Sequence, residues 1–129
     1  MRYLLDTNAL IAILNGNQAF IDKLKQHKPS DFGVPAVVMF ELFYGAHKSQ
    51  RVAQNLQKLA KLPFEVLPFD FDDAQAAGEI RAALSLQGKN IGAYDVQIAG
   101  QALNRKLILI THNIKEFVRV AGLSIEDWE

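Results

Sequence analysis

The chain contains no cysteine. Disulfides, thiolate metal sites and thiol nucleophiles are therefore all excluded, and a reducing compartment is the natural expectation. It also lacks an excess of charge of either sign, with Lys plus Arg equal to Asp plus Glu at 14 each. A protein that grips nucleic acid through a uniformly basic exterior is thereby excluded, and any such contact must come from a local patch. No long apolar run opens the chain. Met1-Arg2-Tyr3-Leu4-Leu5 reaches Asp6 after three apolar residues, too few for a signal peptide or a membrane span. A soluble, cytoplasmic protein without membrane association is expected. At 129 residues with half of them hydrophobic, the whole chain, 1–129, reads as a single domain able to close one sizeable core. No linker, internal repeat or low-complexity segment interrupts it.

Apolar periodicity places strands at Tyr3–Leu5, Phe32–Val34, Phe64–Leu67 and Leu107–Ile110. Helices are predicted over Thr7–Leu14, Asn17–Lys28, Ala36–Ala46, Gln50–Leu62, Asp72–Leu86 and Tyr94–Leu103, with Asn15-Gly16, Pro29-Ser30-Asp31 and Gly88-Lys89-Asn90-Ile91-Gly92 as breaks. The Ala36–Ala46 helix reads as buried. Leu107–Ile110, apolar at every position, reads as a strand covered on both faces. Strands separated by helices imply a three-layer α/β/α sandwich around a mostly parallel sheet.

In an open parallel sheet ligands gather outside the carboxyl ends of the strands. Asp6 ends the first strand, and Thr111-His112-Asn113 ends the last. Asp6 has a bland alternative role as the N-cap of the next helix. Glu41 is the only charged residue between Asp31 and His47. An unpaired buried carboxylate costs several kcal/mol, so Glu41 is expected to meet a metal, a cation such as Arg81, or a hydrogen-bond network. Asp95 follows Gly92-Ala93-Tyr94 at a helix start, where the helix dipole favours its charge whether or not it does chemistry. Convergence of Asp6, Glu41 and Asp95 at one sheet edge is the hypothesis. Without Cys or a metal-spaced set among His27, His47 and His112, oxygen ligands suit a hard cation, Mg²⁺ or Mn²⁺. Such an ion meets phosphate, which points to phosphodiester hydrolysis. His27 and His47 read as solvated helix-end residues.

These residues also form a pattern. Leu5-Asp6-Thr7-Asn8, Glu41-Leu42 with Tyr44-Gly45-Ala46, Ile91-Gly92-Ala93-Tyr94-Asp95, Ile98-Ala99, Ile110-Thr111-His112-Asn113, Glu116-Phe117, Gly122-Leu123 and Ile125-Glu126-Asp127-Trp128 together resemble a VapC-type PIN domain across essentially the whole chain. The resemblance implies an acidic metal site of Asp6, Glu41 and Asp95, with Asp6 and Asp95 the direct ligands. It further implies that Thr7 and Asn8 support Asp6 and that Thr111 lines the pocket. Where many PIN nucleases carry a fourth acid, Asn113 stands, lowering the negative charge and orienting water or substrate through its amide. It also implies a Mg²⁺-dependent endoribonuclease toxin with Mn²⁺ as a substitute, a homodimer, a cognate VapB-like antitoxin, and structured RNA as substrate. Among RNAs a tRNA anticodon loop is favoured, initiator tRNA first. Lys48, Arg51, Lys89, Arg105, Lys106, Lys115 and Arg119 are candidate RNA contacts. Phe40, Leu42, Phe43 and Tyr44 read first as core, with any outward remainder forming an antitoxin groove or dimer seam; Trp128 reads as a packing anchor.

Other assignments of the first-strand Asp fail on particular residues. A phosphatase wants a second Asp where Asn8 stands, and a receiver domain wants an acidic pair and a lysine after the last strand. A dinucleotide-binding turn wants glycines where Asp6-Thr7-Asn8-Ala9 stands. A catalytically dead RNA- or protein-binding module, and a housekeeping RNA-processing nuclease without antitoxin, are the remaining alternatives.

Overall fold

A computed structural model describes residues 1–129. The elements run β1 (Tyr3–Leu5), α1 (Thr7–Leu14), α2 (Gln18–Leu24), β2 (Phe32–Pro35), α3 (Ala36–Lys48), α4 (Val52–Ala60), β3 (Glu65–Leu67), α5 (Phe71–Leu86), α6 (Ala93–Arg105), β4 (Ile108–Ile110), α7 (Ile114–Phe117) and β5 (Ile125–Glu126). The five strands form one sheet in the order β3-β2-β1-β4-β5. Every pairing is parallel. This is the expected three-layer α/β/α sandwich. β1 is buried along its whole length, as a strand covered on both faces must be. In β4, Leu109 and Ile110 are fully buried while Ile108 is half-covered.

The strand order positions the site. From β1 the chain builds outward through β2 and β3 on one side, and β4 and β5 fill the other. The switch point lies at the carboxyl ends of β1 and β4, where a crevice must open. The register pairs Leu5 with Ile110, so Asp6 and Thr111 emerge side by side.

Several predicted elements differ in extent. α2 stops at Leu24, because His27 is drawn into the core's aromatic edge, stacked on Trp128 with ring centroids 5.4 Å apart. His27 also meets Tyr3 edge-on at 5.0 Å, so it is a packing residue and not a solvated helix end. Trp128 is buried, the anchor expected. α3 runs on through Gly45 to Lys48 and is not buried all round: it buries Val38, Leu42 and Ala46, one stripe at four-residue spacing. Of the aromatic cluster only Leu42 is core, while Phe40 and Tyr44 stand 56% and 60% exposed. At 100° per residue they fall on the opposite face. α7 and β5 were not predicted, since four and two residues carry no readable period.

Candidate metal-dependent active site

Four carboxylates meet at the switch point. Asp6, at the end of β1, is 4% exposed and caps α1, its Oδ1 accepting the Ala9 N–H at 2.8 Å. The bland role and the site role thus coexist. Burial pushes its pKa up, opposed by hydrogen bonds from Thr111 and Ala9, while the charges of Glu129 and Glu41 raise it further. Glu41, half-buried on α3, accepts the Thr7 hydroxyl at 2.9 Å. The cation-partner reading fails: the ion pairs of this protein use Arg105 and His112, and Arg81 is exposed. Thr7 therefore supports Glu41 and not Asp6, because as the first residue of α1 it faces the neighbouring helix. Asn8 is exposed and supports Asp6 through no hydrogen bond; it lines an adjoining cleft.

Asp95, in the first turn of α6, is pushed up from 3.8 to about 6. Burial is the first cause, followed by the charge of Glu116, that of Asp6, a hydrogen bond with Glu116, and the charge of Glu41. Two carboxyls hydrogen-bond only by sharing a proton, so Glu116 stands directly against Asp95. Glu116 is the site residue that sequence reasoning passed over. Its signal was present in Glu116-Phe117, one helical turn beyond Asn113. Asn113 donates one amide N–H to Glu116 Oε2 at 3.1 Å, so it orients a carboxylate while its carbonyl oxygen and second N–H stay available. The negative charge that Asn113 seemed to remove is restored by Glu116. Thr111, buried, joins the two halves: its hydroxyl serves Asp6 and accepts the Asn113 backbone N–H at 2.9 Å.

Gly92 precedes α6, and a Cβ placed there would stand 3.2 Å from Asp95 Oδ2. The absence of a side chain lets the Asp95 carboxylate fold back close to its own backbone. The loop before it is tied down by Arg119, which donates to Asn90 O at 3.1 Å.

The donor set is entirely oxygen, and the charges of neighbouring acids add to burial in raising the pKa of Asp6 and of Asp95, a repulsion that a hard divalent cation would relieve. Asp6, Glu41, Asp95 and Glu116 therefore fit such an ion. A second titratable group lies nearby but is exposed: His112, Asp127 and Glu129 bring their ligand-type atoms within 4.8 Å of one another. Sequence spacing hid it, since the partners are 15 residues and more from His112.

The family model of the PIN domain matches residues 3–123. The chain belongs to the PIN domain family. Among curated relatives, it is 37% identical over 130 residues to the "tRNA(fMet)-specific endonuclease VapC" of Shigella flexneri, covering 99% of this chain and 98% of that protein. The corresponding VapC of Salmonella typhimurium is 35% identical with the same coverage. Among solved structures, DNA-bound VapBC from Salmonella typhimurium matches with a TM-score of 0.95 and 34% identity, over 100% of this chain and 99% of that one. This PIN domain is thus of the VapC type along its full described length.

Not every cation proposed from the sequence faces the site. Arg105 lies ten residues beyond Asp95 on α6, about 15 Å away at the helical rise. It is committed to Asp73 Oδ2 at 3.0 Å and to Pro68 O at 2.9 Å. Lys106 follows it at the same remote helix end. Lys115, beside Glu116 on α7, is the exposed cation nearest the acids in sequence. No helix is long and apolar enough to cross a membrane.

Proposed function

We propose that this protein is a Mg²⁺-dependent endoribonuclease toxin that hydrolyses phosphodiester bonds in a structured RNA, with the initiator tRNA anticodon loop as the favoured target. The observation that carries the reading is the convergence of Asp6, Glu41, Asp95 and Glu116, with Asp95 raised to about 6 by burial and by its neighbours' charges. Mn²⁺ would serve the same oxygen ligands. An ion of this class polarises phosphoryl oxygens and lowers the pKa of water. The chain's own residues do the rest. Asp6 and Asp95 offer the charges that hold the ion, Glu41 and Glu116 complete the negative pocket, and Thr7 and Asn113 fix those two carboxylates in place. The hydrogen bond from Thr111 favours the charged form of Asp6, against burial, which pushes its pKa up. The target follows the printed names of the Shigella and Salmonella relatives, both tRNA(fMet)-specific endonucleases.

Its partner, in this reading, is a VapB-like antitoxin, as in the VapBC complexes of similar structure. A groove of about 340 Å³ walled by Ile11, Leu14, Leu42, Ala46 and Leu59 opens onto Thr7 and Glu41, so an amphipathic segment seated there would lie over the acids. The exposed rings of Phe40, Phe43, Tyr44 and Tyr94 support a homodimer seam beside the site. The working compartment is the cytoplasm. Sequencing RNA 5′ ends after brief expression tests the proposal: one dominant cut in the initiator tRNA anticodon loop, absent with Asp6→Asn, is expected. Unchanged RNA ends would refute it.

A further inference from the structure

A cleft of about 440 Å³ adjoins the acids, and Asn8, Ile11, Asn15, Asn17, His112 and Glu129 are among its walls. It lies beside the acids: Asn8 stands two residues after Asp6, His112 follows Thr111, and the charge of Glu129 is felt at Asp6. No Lys or Arg lines it. Its one basic side chain, His112, already faces Asp127 at 2.9 Å and Glu129 at 3.7 Å, so this cleft suits the uncharged part of a nucleotide.

Its chemistry is that of a base-reading surface. Asn8 and Asn15 are solvent-exposed and offer both donor and acceptor groups. Asn17 accepts the Phe20 N–H through Oδ1 at 3.0 Å, which leaves its NH₂ to donate. The exposed side chain of Ile11 provides an apolar face. The far wall is held in advance of any ligand. Trp128 is buried and its indole N–H bonds Glu126 at 2.9 Å. Asp127 accepts the Glu129 backbone N–H at 3.0 Å and pairs with His112 Nδ1 at 2.9 Å. Such preorganisation reduces the entropy lost on binding.

We propose that this cleft is a nucleobase subsite that takes a base flanking the cleaved phosphate and selects one bearing an exocyclic amino group. The inference rests on the ribonuclease reading above. The carboxylate of Glu129 only accepts hydrogen bonds. Adenine, cytosine and guanine each present an NH₂ group to such an acceptor, whereas uracil presents carbonyl oxygens on either side of its single N–H, and these repel the carboxylate.

Two measurements test it. Hairpin RNAs with a randomised loop are cut with Mg²⁺ by the wild type, by Asn15→Ala and by Glu129→Gln, and the product ends are sequenced. The wild type is expected to disfavour uracil at one position beside the cut by about tenfold. Glu129→Gln, which gains a donor, should erase or reverse that bias, and Asn15→Ala should weaken it. Separately, the side-chain amide signals of the asparagines are followed by NMR during titration with AMP, CMP and UMP. AMP and CMP should move the α1 signals at concentrations about tenfold below UMP. An unbiased wild type, or a bias that both variants keep, would overturn the subsite. So would a result in which the variants alter only neutralisation by a co-expressed antitoxin, since the cleft would then serve a protein. If the wild type cuts no hairpin, the ribonuclease reading fails, and the mononucleotide titration still decides the cleft: no preference there overturns it.

Discussion

Replacing Asp95 with Asn should make the metal-free protein more stable while it stops cutting RNA. In the folded state the Asp95 carboxyl is raised from 3.8 to about 6, so the neutral form is favoured by folding. A raised carboxylate contributes stability that is fully present below pH 3.8 and is lost as pH climbs through about 6. At 1.36 kcal/mol per pH unit the loss near neutrality is at most ~3 kcal/mol. Asp95 is only half-buried, and solvent screening reduces this to about 1.5–2 kcal/mol. Asn cannot ionise, so Asp95→Asn removes the penalty. It also forfeits a charge in the first turn of α6, worth about 0.3–1 kcal/mol. The net gain near neutral pH is about 1 kcal/mol, or roughly 3–5 °C in a domain of this size. The assay is thermal unfolding in chelator, wild type beside variant, at about pH 7.5 and about pH 5. The gain should shrink to roughly half at the lower pH, because the unfolded carboxyl is still ionised there, and should vanish only below about pH 3.8. Addition of Mg²⁺ should reverse the order, because only the wild type retains the ligand whose binding adds stability. A variant less stable at both pH values, or one that still cuts RNA at the wild-type rate, would refute the reasoning.

Glu41→Gln keeps an acceptor for Thr7, so unfolding should stay within about 0.5 kcal/mol of wild type while cleavage falls at least about a hundredfold; a collapsed midpoint with normal cutting by the folded fraction would make Glu41 architecture. Glu116→Ala should lower the Asp95 pKa, read by carbon-detected NMR titration in the absence of metal, and depress cleavage; an unmoved titration would separate the two carboxylates. Gly100→Ala places a Cβ 2.6 Å from the Ala77 backbone N, forcing α5 and α6 apart, and denaturant unfolding should register a loss of about 1–3 kcal/mol. Arg105→Met strips the buried Asp73 of its cation; although burial opposes the charged form, hydrogen bonds from Arg105 and Asn104 hold its pKa below the ordinary value. That substitution should lower the midpoint steeply near neutral pH and leave the cleavage site in RNA unchanged.

The readable parts of the fold and site were those where chemistry and chain position coincide. Asp6 interrupts an apolar run at a strand end, and the Gly92-to-Asp95 stretch signals a helix start with an acid in its first turn. Both signals are local and both stand where the sheet's switch point needs them. What escaped depended on distance. Glu116 looked like one surface acid on a short helix; only the parallel pairing of β1 with β4 brings it back against Asp95. Asn113 drew the attention instead, because it occupies the place after the last predicted strand. His27 and Trp128 lie at opposite ends of the sequence, so no window could foresee their stacking. The aromatic run in α3 misled for another reason: hydrophobicity alone does not say which face of a helix meets the core, and α3 exposes three of its rings next to the site. Arg105 was misplaced because its position at the far end of α6 follows only from knowing that Asp95 begins that helix at the active edge.

The most direct test of the four-carboxylate metal site is the cleavage rate of total tRNA by purified protein, titrated with Mg²⁺ after exhaustive chelation, with Asp6→Asn prepared in parallel. No cleavage in chelator, recovery with Mg²⁺ or Mn²⁺, and no recovery for Asp6→Asn are predicted. Cleavage that persists in excess chelator, and that the Asp6→Asn preparation lacks, would show that Asp6 acts without a metal and would contradict the account.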